Sequence, residues 1–154
     1  MKISNSLKVS ADELEQHEPI TDTQEKAFKY WGENYNLVLS GSAGTGKTFV
    51  AIYLALTELF KNPDIYRELI IIRSIVPTRE IGFLPGNEDE KKQAYTTPYQ
   101  SLFFDLFGYE QAWNKLITQR RVKFESTSFI RGSTFDNAII IVDEMQNCNF
   151  HELD

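Results

Sequence analysis

Apolar residues fall along the chain in two rhythms. After Pro19, the pattern Thr21-Asp22-Thr23-Gln24 is an S/T-x-x-E/Q capping box, and Ala27, Phe28 and Trp31 follow at helical spacing. Together they predict a helix over residues 22–33. Phe49, Ile52, Leu56, Leu59 and Phe60 repeat on one helical face, which predicts a second helix from about Gly46 to Phe60, stopped by Asn62-Pro63-Asp64. A third is expected to start with Pro98 in its first turn and to end at Gly108, and a fourth to cover residues 110–119. The other rhythm is the short continuous run. Leu37–Leu39, Leu69–Ile72, Val122–Glu125 and Ala138–Val142 read as strands, and β-branched runs of this kind suit a parallel sheet covered on both faces. Strands alternating with helices predict an α/β fold.

One segment changes this outline into chemistry. Gly41-Ser42-Ala43-Gly44-Thr45-Gly46-Lys47-Thr48 is a complete G-x-x-x-x-G-K-[ST], set between a predicted strand and a predicted helix. The glycines let the backbone wrap phosphates, and the helix that follows turns its positive end to the same oxygens. Lys47 is placed for the β- and γ-phosphates and the Thr48 hydroxyl for Mg²⁺. A dinucleotide fold is excluded, because no third glycine follows Gly44 and Gly46 where G-x-G-x-x-G needs it. Asp143-Glu144 ends the most apolar strand. In a phosphate-loop enzyme an acid there joins the Mg²⁺ shell, and Glu144 is suited to activate the attacking water. Gln24 is open to two roles, closing the capping box or reading an adenine edge with its amide.

Composition narrows the setting. The chain has 154 residues, 42% of them hydrophobic, with a net charge of -6, which fits one globular domain and argues against a protein that coats nucleic acid. Residues 1–18 are polar and read as an arm, leaving 19–154 as the domain. No apolar run is long enough to span a membrane, no leader is recognisable, and the single cysteine, Cys148, suits a reducing cytoplasm. His17 and His151 lack ligand-like spacing, so Mg²⁺ with nucleotide is the only metal expected. Lys115, Arg120, Arg121, Lys123 and Arg131, interleaved with Trp113, Phe124 and Phe129, form a basic stripe open to two readings: a contact for single-stranded nucleic acid or a solvated helix end. A phosphotransferase would need an acceptor site and an arginine-rich lid, and neither is visible.

The phosphate loop, Ile81-Gly82-Phe83-Leu84-Pro85-Gly86, Arg131-Gly132-Ser133-Thr134-Phe135 and Asp143-Glu144-Met145-Gln146-Asn147 together resemble the PhoH family of bacterial and phage ATP-binding proteins. The resemblance runs from about Ile20 to Asp154. It implies a P-loop NTPase with a RecA-like core related to superfamily 1 helicases, ATP and Mg²⁺ as cofactors, RNA or another single strand as a partner, and homo-oligomers. It makes Gln24 an adenine reader and Gln146 a relay of the γ-phosphate state. Ser133 stands where the family usually has arginine, Ser74 where it commonly has proline, and Met145 where it has alanine. Cores of this kind place one more strand between the acidic strand and the phosphate-loop strand. The sequence stops soon after Asp143, so two outcomes are expected: a fragment of a longer protein, or a fold with an open slot there, in either case binding ATP without efficient unaided turnover.

Overall fold

Three of the four apolar runs form a parallel sheet: Glu68–Arg73 (β1), Val122–Ser126 (β2) and Ala138–Asp143 (β3), in the order β2-β1-β3. The structure, a computed structural model, describes residues 8–74, 88–127, 130 and 132–148. The segment Ile81–Gly86, Phe129, Arg131 and His151 lie outside the described residues. Leu69 sits opposite Val122 on one side and Ile139 on the other, and the register carries Arg73 to Asp143. Leu69, Ile70, Ile71 and Ile72 are all buried, as a central strand covered on both faces requires.

The other β-branched run behaves differently. In β3 only Ile139 is buried, while Ile140 and Val142 are each 44% exposed. Among the described residues β3 pairs with β1 alone, so its far edge stays open. The expected strand Leu37–Leu39 is corrected here. It joins no ladder; Leu37 and Leu39 lean on the core while Val38 is 81% exposed. Three apolar residues hold an extended conformation as a strand only beside a hydrogen-bonding neighbour, and none of the described strands flanks them.

Helix α1 (Asp22–Gly32) begins at Thr21, whose hydroxyl accepts the Gln24 N–H at 3.2 Å, and Gln24 returns the bond by accepting the Ile20 N–H at 2.9 Å. The hydroxyl half of the capping box forms, while the glutamine half reaches Ile20, one residue before the cap. Helix α2 (Lys47–Lys61) buries Val50, Ile52, Tyr53, Leu54, Ala55, Leu56 and Leu59, an arc wider than one stripe, because it packs between the sheet and other helices. Helix α3 (Glu88–Phe107) starts ten residues earlier than the proline signal predicts, with Pro98 in its interior. Proline removes one N–H from the helical ladder. Just upstream, the Thr96 and Thr97 hydroxyls both donate to the Gln93 carbonyl at 3.0 Å, adding side-chain bonds to the turn before the proline. Gly108, in the left-handed region at φ 75°, closes the helix as expected.

Helix α4 (Ala112–Thr118) packs on α3 through an aromatic cluster. Trp113 lies near-parallel to Tyr99 at 6.3 Å and edge-on to Phe103 at 5.0 Å. Trp113 and Phe124 are buried, Arg121 donates to the Leu59 carbonyl at 3.1 Å, and Lys123 pairs with Glu68 at 2.7 Å. The basic stripe therefore loses two of its aromatics to the core and two of its cations to packing and pairing. The stretch read as a polar arm also contributes to the interior. Val9 and Leu14 are buried, the Glu15 N–H donates to the Leu106 carbonyl at 2.8 Å, and the Tyr109 hydroxyl donates to Glu13 at 2.5 Å. None of the described helices is long and apolar enough to cross a membrane.

Candidate functional site

The loop Gly41–Gly46 follows the segment Leu37–Leu39 and leads into α2. Gly44 and Gly46 adopt φ of 76° and 78°, a region that side chains with a Cβ enter at a cost. Gly46 caps α2, so the helix starts at Lys47 with its unbonded N–H groups facing the loop. The Lys47 ammonium donates to the Gly41 and Ser42 carbonyls at 2.8 and 2.7 Å, and the Thr45 hydroxyl shares the Ser42 carbonyl at 2.9 Å. The loop is thus closed around its own lysine. An anion at the helix end would draw the ammonium to itself, since a charged acceptor binds it more strongly than a carbonyl does.

Strand β3 brings its terminal acid to this loop. The Thr48 hydroxyl donates to Asp143 Oδ1 at 3.2 Å, across 95 residues of sequence. The same oxygen accepts the Glu144 N–H at 3.0 Å, and Oδ2 accepts the Tyr99 hydroxyl at 2.7 Å. Burial, with the hydrogen bond and charge of Asp143 added, pushes the Tyr99 hydroxyl well above the usual phenol range, and Arg73 opposes this in part. The phenol therefore remains a donor to the carboxylate across the ordinary pH range. Sequence reasoning missed Tyr99. Its spacing to Phe103, Leu106 and Phe107 reads as a helix's apolar face, and only the fold puts its hydroxyl at β3.

Glu144 stands at φ 52°, ψ 37°, the left-handed region, where the chain leaves β3 and turns into the short 3-10 segment Met145–Asn147. The Gln146 amide donates to the Glu144 carboxylate. Asn147 is tied back to the end of β1 by the Ser74 hydroxyl, at 3.4 Å from its carbonyl. Gln24 reaches the loop as well, with its Nε2 lying 3.6 Å from where a Cβ on Gly46 would stand. Its oxygen bonds beside the cap and its nitrogen faces the loop, so the two roles read for it are compatible. The structure thus gathers Gln24, Gly41–Thr48, Asp143, Glu144 and Gln146 at one end of the sheet, and adds Tyr99 and Arg73.

The donor set suits a hard divalent cation. A hydroxyl and a carboxylate oxygen meet at the helix end, and no cluster of three or more acids, histidines or cysteines forms among the described residues. A cation here would share its remaining positions with water and phosphate oxygens, as Mg²⁺ commonly does.

The sequence matches the family model for PhoH-like protein over residues 16–154. It is 34% identical to "Protein PhoH2" of Bacillus subtilis over 76% of this chain and 27% of that protein. It is 36% identical to a "PhoH-like protein" of the same organism, over 70% of this chain and 33% of that protein. With "Protein PhoH" of Escherichia coli it shares 33% identity over 70% of this chain and 30% of that protein. The chain spans about a third of the length of the curated relatives it matches. With its phosphate loop, its parallel sheet flanked by helices and this match over most of its length, the chain belongs to the PhoH-like family of P-loop NTPases.

Proposed function

We propose that the chain binds ATP with Mg²⁺ at Gly41–Thr48 and hydrolyses it. The observation that carries this is the 3.2 Å contact between Thr48 and Asp143, which joins the end of the phosphate loop to the acid of β3. In this reading the loop amides and Lys47 hold the phosphates, and Thr48 and Asp143 hold the metal directly or through water. Bound Mg²⁺ would neutralise charge developing on the phosphate oxygens. Glu144 accepts a proton from the attacking water, Gln24 reads adenine, and Gln146 senses the γ-phosphate. The test is phosphate release from Mg·ATP by the intact chain, alone and with single-stranded RNA or DNA. Turnover that nucleic acid accelerates supports a coupled ATPase. With Trp113 and Phe124 buried, such coupling rests on the family rather than on a stacking surface.

A second reading, a nucleotide-binding switch with little turnover, is favoured by one feature. The Glu144 carboxylate accepts a hydrogen bond from the Gln146 amide, which occupies the group that would act on water. Saturable ATP binding without phosphate release is the outcome that selects this reading.

Gln24 gives a separate test of base recognition. Gln24→Ala is expected to lower the preference for ATP over GTP about tenfold, the effect of losing one or two selective hydrogen bonds. It should also cost about 1 kcal/mol of stability through the opened cap. Competition binding and thermal melting separate the two effects. A cap defect with unchanged nucleotide preference would remove Gln24 from the base site.

A further inference from the structure

We infer that Tyr99 is the positioning residue for Asp143, orienting its carboxylate toward the metal side of the nucleotide site. The inference rests on the reading of Thr48 and Asp143 as metal-holding groups. The two oxygens of Asp143 are served from opposite directions. Oδ1 takes the Thr48 hydroxyl and the Glu144 N–H, on the side of the phosphate loop. Oδ2 takes only the Tyr99 hydroxyl among the described residues, at 2.7 Å. A carboxylate at a strand end swings about its terminal torsion. A donor fixed to Oδ2 stops that swing and leaves Oδ1 facing Thr48.

Tyr99 is itself held. It is 1% exposed, lies near-parallel to Trp113, and stands 5.5 Å from Phe124. Arg73 ends the neighbouring strand in register with Asp143, so a cation stands on the same side of the sheet end. The hydroxyl donates to an anion, and a charge-assisted bond of this kind is stronger than a neutral one. The buried ring that carries it spans α3, α4 and β2, so the orientation of Asp143 is set by the core rather than by solvent.

Partners of metal-holding carboxylates typically contribute tenfold or more to metal affinity. Tyr99→Phe, which keeps the ring and removes only the hydroxyl, is the direct test. The readout is binding of a fluorescent ATP analogue titrated with MgCl₂, and the same binding with metal chelated. The expected result is an about tenfold rise in the Mg²⁺ concentration for half-maximal effect, with metal-free affinity within about twofold of the parent. Saturating Mg²⁺ should restore nucleotide affinity. In an Asp143→Ala background the same substitution should add no further shift, because the hydroxyl then has nothing to orient.

An unchanged Mg²⁺ midpoint overturns the assignment. So does an equal loss with and without metal, which is the signature of a packing defect. A further shift in the Asp143→Ala background does the same. A parent chain that binds no nucleotide overturns the nucleotide reading itself. A parent whose Mg²⁺ dependence is normal and unmoved by Tyr99→Phe overturns only the role of Tyr99.

Discussion

Lys47→Ala is expected to weaken ATP binding by at least about 100-fold. A cation contacting two phosphate groups makes charge-assisted hydrogen bonds worth about 1.5–3 kcal/mol each, and about 2.7 kcal/mol is a hundredfold in affinity. The fold should survive the change. Among the described residues the ammonium bonds only to carbonyls of an exposed loop, so thermal melting should move little. Calorimetric titration of ATP into parent and variant gives the answer. Equal dissociation constants would mean that phosphate does not sit in Gly41–Thr48, and the ATP reading would fall.

Glu144→Gln separates binding from chemistry. The amide keeps the size of the side chain and the bond to Gln146 but no longer accepts a proton from water. General-base catalysis contributes about 10²- to 10⁴-fold, so turnover should drop by that factor while ATP affinity stays within a few-fold. Single-turnover phosphate release checks the first quantity and equilibrium binding the second. Hydrolysis at the parental rate would dismiss Glu144 as the base. The left-handed backbone at Glu144 offers a companion measurement. Glu144→Gly relieves the conformational strain and should raise stability by up to about 1 kcal/mol while abolishing turnover to the same degree. A destabilised glycine variant would show that side-chain contacts outweigh the strain.

Local chemistry made much of this molecule readable from its residues. The capping box at Thr21 and Gln24, the helix after Gly46 and the end at Gly108 each depend on a few neighbouring positions, and each stands where its pattern placed it. The phosphate loop was legible for the same reason, since its glycines serve backbone geometry within eight residues. Long-range partners were not legible. Leu37–Leu39 has the composition of a strand, but being a strand is a property of the neighbour. Pro98 reads as a helix start because its ring suits a first turn, and nothing in the neighbouring residues announces that the helix already runs from Glu88. Trp113 and Phe124 look like stacking platforms until α3 covers them, and Tyr99 looks like core until β3 arrives at its hydroxyl.

The one-sided pairing of β3 has a thermodynamic meaning. Asp143 rides on a strand that, among the described residues, is hydrogen-bonded only to β1, while its partner Thr48 belongs to α2. Nucleotide and metal at the loop would pull Asp143 toward Thr48 and hold β3 in place. Any strand that paired with the free edge would hold it too. Two events that order the same element favour each other, and linkage makes the favour mutual. Whatever factor edge pairing adds to metal-nucleotide affinity, the nucleotide returns to edge pairing, so the loop and the sheet margin would report on each other's occupancy.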